Sequence, residues 1–132
     1  MWVRKMMLTV VVLGVLLLTA IPAFAAVPYV SGTYQTPSRQ GTIAFTPQRA
    51  VIQYGYEGKF VIDGKTYPGS YYAIRGTSNI GMVWYYGTSG IQAGTAVVSS
   101  IGGTSYTGPI TFTDRQGNVT ASGTCSVTIL LR

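Results

Sequence analysis

The chain of 132 residues has one cysteine and no histidine. Cys125 lies in the stretch "VTASGTCSVTILLR", where Val119, Ala121, Gly123, Cys125, Val127, Ile129 and Leu131 alternate with hydroxyl residues from Thr120 to Thr128. A working thiol needs a base or cation to hold its thiolate. Without histidine there is no Cys-His or Ser-His-Asp arrangement and no ordinary tetrahedral zinc site. A second cysteine for an internal disulfide is also missing. On the apolar side of an alternating run, Cys125 reads as a small buried hydrophobe. Pairing between two chains is the alternative for a secreted protein. The side-chain acids are Glu57, Asp63 and Asp114, and both aspartates sit in turn-like sequence. Nothing brings two carboxylates together as glycoside hydrolysis requires, and no glycine-rich loop opens a helix to cradle phosphate. The expectation is a protein that is not an enzyme and uses no cofactor or metal.

The aromatic residues are the stronger candidates. Ten tyrosines and Trp84 follow residue 25, clustered as Tyr54 with Tyr56, as Tyr67 with Tyr71 and Tyr72, and as Trp84 with Tyr85 and Tyr86. Neighbours in a strand point to opposite faces, so Trp84 and Tyr86 share one face while Tyr71 and Tyr72 split. Cross-strand core packing accounts for one member of each pair. The others can form a stacking surface for sugar rings, a flat apolar ligand or a protein. Trp84, Tyr86, Tyr71 and Tyr54 are the candidate ligand-binding residues.

The leader sets the compartment. Arg4 and Lys5 precede an apolar run from Met6 to Ala20, and Pro22 then leads to Ala23-Phe24-Ala25. This is the pattern of a secretory signal helix cleaved after Ala25, with residues 1–25 removed and residues 26–132 forming one all-β domain. An uncleaved anchor is the rival, since the apolar run approaches the ~20 residues that cross a bilayer. The full chain carries +6, and loss of Arg4 and Lys5 leaves +4. The remaining cations fall near turns and strand ends rather than in a cluster interleaved with aromatics, so nucleic acid is not an expected partner. Asn118-Val119-Thr120 is a glycosylation sequon where the host can use it.

Positioning those residues requires strands. No window repeats at helical spacing, whereas short runs of period two alternate with turn residues throughout. "GTIAF", "AVIQYGY", "KFVI", "KTYPGSYYAI", "GMVWYY", "IQAGTAVVSS", "GPITFTD" and the terminal run read as strands. Asp63-Gly64 marks a hairpin whose two central residues need positive φ. Pro68 indicates an edge or bulge, and Gly123 a bend in the last strand. The Gly-Thr-Ser triplets at Gly76, Gly87 and Gly103 read as turns. The sum is a small antiparallel β-barrel or β-sandwich of about eight strands.

Gly32-Thr33-Tyr34 near the first strand, with Arg132 just after the last, is similar to lipocalin-like barrels, which carry Gly-x-Trp and a basic residue at these places. The similarity covers a handful of residues and has Tyr for Trp. It implies a closed barrel and transfers neither ligand nor activity. The functional expectation is a secreted, periplasmic or cell-surface binding module for a glycan, a small apolar ligand or a protein, without a membrane span after cleavage. The alternative is a structural subunit of an extracellular assembly that pairs through edge strands, including as a homo-oligomer.

Overall fold

Eight antiparallel strands wind in chain order and close into a barrel, seen in a computed structural model that describes residues 26–51 and 55–132. They are β1 (Pro28–Gln35), β2 (Gln40–Val51), β3 (Gly55–Ile62), β4 (Lys65–Ala73), β5 (Ile80–Tyr85), β6 (Gln92–Gly102), β7 (Ser105–Thr113) and β8 (Val119–Leu131). The expected signal sequence, residues 1–25, and the candidate Tyr54 lie outside the described residues. Closure is made by β1 against β8, from Pro28 opposite Leu131 to Gln35 opposite Thr124. This settles barrel over sandwich. Reciprocal backbone bonds between Val27 and Arg132 (2.8 and 2.9 Å) hold the two ends of the domain together.

The alternation maps onto inside and outside. Phe45, Phe60, Met82, Trp84 and Ile110 fill the interior. Thr33, Thr42, Thr124 and Ser126 face out and are exposed. At the β3–β4 turn Asp63 and Gly64 both take positive φ (52° and 83°), as the Asp-Gly pair predicts. Glycines of all three Gly-Thr-Ser triplets also have positive φ (Gly76, Gly87 and Gly103), in turns. There Thr77 Oγ1 donates to the Ile74 carbonyl at 2.8 Å. Pro68 is exposed on β4 just outside the β4–β5 pairing, which begins at Gly69. It is an edge proline. Gly123 marks a close approach, since a Cβ there would stand 1.9 Å from the Gln35 carbonyl oxygen.

Two expectations change. "GTIAF" does not end at a turn before "AVIQYGY", because β2 runs on to Val51. Pro47 is tolerated inside it because a register shift falls between Pro47 and Arg49, and pairing with β1 stops at Phe45. "AVIQYGY" is itself divided, because Val51 of β2 pairs with Gly55 of β3. Period two continues across a short connection, so alternation alone does not reveal the break.

Cys125 faces inward and is 1% exposed. Burial pushes its thiol up to about 11, so the thiolate is scarce at neutral pH. The folded protein is expected not to react with a disulfide reagent such as Ellman's, and unfolding should release one thiol. Cys125→Val should leave oligomeric state unchanged on non-reducing gels. A covalent dimer lost in that variant would contradict the buried assignment.

Candidate functional site

Three of the four candidate aromatics can be placed, and they do not form one platform. Trp84 is 1% exposed. Its ring lies 5.3 Å from Phe60 and 6.0 Å from Phe112, centroid to centroid. Tyr71 is buried opposite Met82 of β5, stacked on Phe45 at 5.7 Å with Tyr56 edge-on at 6.3 Å. Tyr86 is half-buried at the rim that carries the β5–β6 turn. Its hydroxyl donates to the Thr113 carbonyl at 2.5 Å, Tyr67 meets it edge-on, and the Arg115 guanidinium lies 4.6 Å from its centroid. Tyr86 lies four positions beyond Met82, the Tyr71 partner, about 13 Å along an extended chain. These rings are covered mainly by other side chains of the protein.

Burial pushes the Tyr71 phenol up to about 12, with smaller contributions from Tyr106 and Tyr56. The ordinary value is about 10. A raised folded value favours the protonated form, so the stability it contributes is complete below pH ~10 and is lost as pH rises from ~10 to ~12. The loss from this group should reach about 2 to 3 kcal/mol. Urea midpoints measured across that window should fall, and Tyr71→Phe should flatten part of the fall. Identical pH curves for the two proteins would contradict it.

The same rim as Tyr86 holds a polar cluster that composition does not reveal. Tyr34 donates its hydroxyl to Asp63, and Arg39 bonds both Tyr34 (3.0 Å) and Asp63 (3.1 Å). The Thr42 N–H donates to the second Asp63 oxygen at 3.0 Å. Gly41 makes room, since a Cβ there would lie 1.7 Å from that oxygen. Burial opposes the Asp63 charge, but the bonds from Tyr34, the Thr42 N–H and Arg39 outweigh it and hold the carboxyl below its ordinary range. Burial and then the bond to Asp63 push the Tyr34 phenol up. The Arg39 guanidinium covers Phe112 at 4.2 Å, closing this end of the core. Arg132, the basic residue after the last strand, lies over Tyr29 at 4.7 Å. The cation over Tyr34 is Arg39.

The concave feature beside this cluster is on the outer wall. A groove of about 630 Å³ crosses β8, β1 and β2, lined by Thr33, Gln35, Gln40, Thr42, Thr124 and Ser126, with Tyr34 and Gly41 in its floor. Strand pairing sets these side chains in rows. Thr42, Thr33, Ser126, Thr107 and Ser99 stand opposite one another across five strands, and Gln40, Gln35 and Thr124 form the next row. Rows step about 4.8 Å from strand to strand. Sequence reasoning misses this surface because it looks for aromatics. The available signal was the hydroxyl half of the same alternation that placed Cys125.

Fold and surface together define a closed antiparallel barrel with an aromatic core and a hydroxyl- and amide-lined outer groove. No protein-family model, curated protein or solved structure matches the chain.

Proposed function

We propose that the protein is a secreted, non-enzymatic β-barrel that binds through its outer wall rather than through its interior. The observation that carries this is the contrast between the two faces. The interior is occupied by Trp84, Phe45, Phe60 and Met82, each under 2% exposed, whereas the groove over β8, β1 and β2 is open and lined mostly by hydroxyl and amide side chains. A small apolar ligand inside the barrel would have to displace that core. A membrane-spanning barrel carries an apolar band outward, and here the hydroxyl residues face outward. The non-enzymatic reading is supported by the tied state of the acids: Asp63 is held by Tyr34 and Arg39, and Glu57 is paired with Arg49.

The assembly alternative draws on one edge. Beyond Phe45, β2 lacks a β1 partner. Pro47, the register shift and Arg49 guard that edge in the way natural edge strands are blunted. Two experiments test the proposal. Export with the native leader should yield a mature chain beginning at Ala26 on N-terminal sequencing, and an unprocessed intracellular chain would contradict secretion. Ligand capture should fail for Thr33→Arg and survive Trp84→Phe, and the reverse pattern would contradict binding on the outer wall.

A further inference from the structure

We infer that the ligand of the outer groove is a chain of neutral sugars, an inference that rests on the outer-wall reading above. The first ground is charge. Strands β1, β6, β7 and β8 contain no Lys, Arg, Asp or Glu, and the one such residue of β2 is Arg49, beyond the reach of β1. These five adjacent strands therefore put no charged side chain of their own into the groove, and the Arg39–Asp63 pair borders it only at the rim. The cations and acids of the described residues are confined to turns, rims and the opposite wall. Anionic polymers are recognised by Arg and Lys forks and point charges, and the groove lining supplies none.

The second ground is unused hydrogen-bonding capacity. Three hydroxyls on this wall are spent internally. Thr107 donates to the Cys125 carbonyl at 3.0 Å, Thr120 to the Phe112 carbonyl at 3.3 Å, and Ser99 to Asn79 Oδ1 at 2.7 Å. Among the described residues, the side chains of Thr33, Gln35, Gln40, Thr42, Thr124 and Ser126 make no hydrogen bond within the protein. Hydroxyls and amides each donate and accept. A sugar hydroxyl also does both, so it can be met in either sense without a net charge. An apolar ligand would strip water from these groups and leave them unsatisfied, at a cost.

The third ground is repetition. Pairing places like groups in register on neighbouring strands, about 4.8 Å apart across strands and about 6.8 Å apart along one strand. A polymer with a repeating set of hydroxyls meets such rows at successive residues, and a single small molecule does not. The groove volume falls within the ~300–1,000 Å³ of ordinary ligand sites, room for a short stretch of chain.

The test is capture of residues 26–132 on insoluble cellulose, xylan, chitin and β-1,3-glucan, with immobilised polygalacturonate and phenyl-agarose as anionic and apolar probes. Retention is expected on at least one neutral polymer and should persist at high salt. Thr33→Val with Thr124→Val keeps shape and strand preference, and Gln35→Ala removes one amide. Each variant should fold, by circular dichroism, and weaken retention about tenfold, the equivalent of one or two hydrogen bonds. Retention on no neutral polymer, or retention unchanged in the variants, overturns the neutral-sugar inference. If polygalacturonate, phenyl-agarose or a second copy of the chain is bound and the same variants abolish it, the outer-wall reading stands without the sugar. If these variants alter binding to no probe, both fail.

Discussion

Trp84→Ala should cost about 3 to 5 kcal/mol and leave the barrel partly or wholly unfolded at room temperature, as large aromatic truncations in a core do. The indole is 1% exposed and joins Phe60 on one side to Phe112 on the other. Its removal opens a cavity that rigid, hydrogen-bonded strands cannot collapse to fill. Gly94 is the complementary half of this site. A Cβ on Gly94 would lie 2.3 Å from the indole six-membered ring, so Gly94→Ala should destabilise by overpacking, about 1 to 3 kcal/mol. Trp84→Phe shortens the ring at that point. The double variant Trp84→Phe with Gly94→Ala should therefore be more stable than the two single costs sum to. Urea unfolding of the four proteins gives the coupling, and additive costs would contradict the contact.

The second large effect is expected at Gly108, where strands rather than side chains collide. A Cβ there would stand 1.8 Å from the Val97 carbonyl oxygen, and that oxygen belongs to the backbone of the neighbouring strand. Gly108→Ala should cost about 3 kcal/mol or more, since relief requires β6 and β7 to separate. Gly58 and Gly69, directly paired on β3 and β4, show the same crowding, with carbonyls of adjacent strands at 2.1 and 2.3 Å. These glycines let strands bend tightly enough to close a narrow barrel around a filled core. By contrast, Gly76→Ala meets no neighbouring atom and bears only the cost of its positive φ (78°), about 1 kcal/mol. Thermal melts that ranked Gly76→Ala as the worse of the two would contradict the close-approach account.

Strand identity and inward or outward facing were legible in the sequence wherever alternation was unbroken. β8 is the clearest case: period two puts Cys125, Val127 and Ile129 inside, and they are buried. The Asp63-Gly64 turn was legible because its backbone demands residues that tolerate positive φ. Closure was not, because the pairing of Pro28 with Leu131 joins opposite ends of the domain and leaves no local mark. The boundary between β2 and β3 was hidden because alternation runs through Val51 and Gly55 as if one strand continued. For the aromatics, the sequence showed that Trp84 and Tyr86 share a face but not that this face is the core.

The outer groove was half legible. Its hydroxyls are the polar members of the alternation. Their alignment into rows depends on register between strands distant in sequence, such as Thr33 opposite Ser126. The Arg39–Tyr34–Asp63 cluster was illegible for the same reason, since its members are brought together only when β1, β2 and β3 pair.

The central claim is that the barrel binds on the outer wall of β8, β1 and β2 while its core stays shut. Amide and indole chemical shifts of residues 26–132, followed through titration with soluble neutral oligosaccharides, test it most directly. Saturable shifts are expected at Thr33, Gln35, Gln40, Thr42, Thr124 and Ser126, with the Trp84 indole resonance unmoved. Shifts centred on Trp84 and Tyr71, or none on the β8–β1–β2 wall, would contradict it.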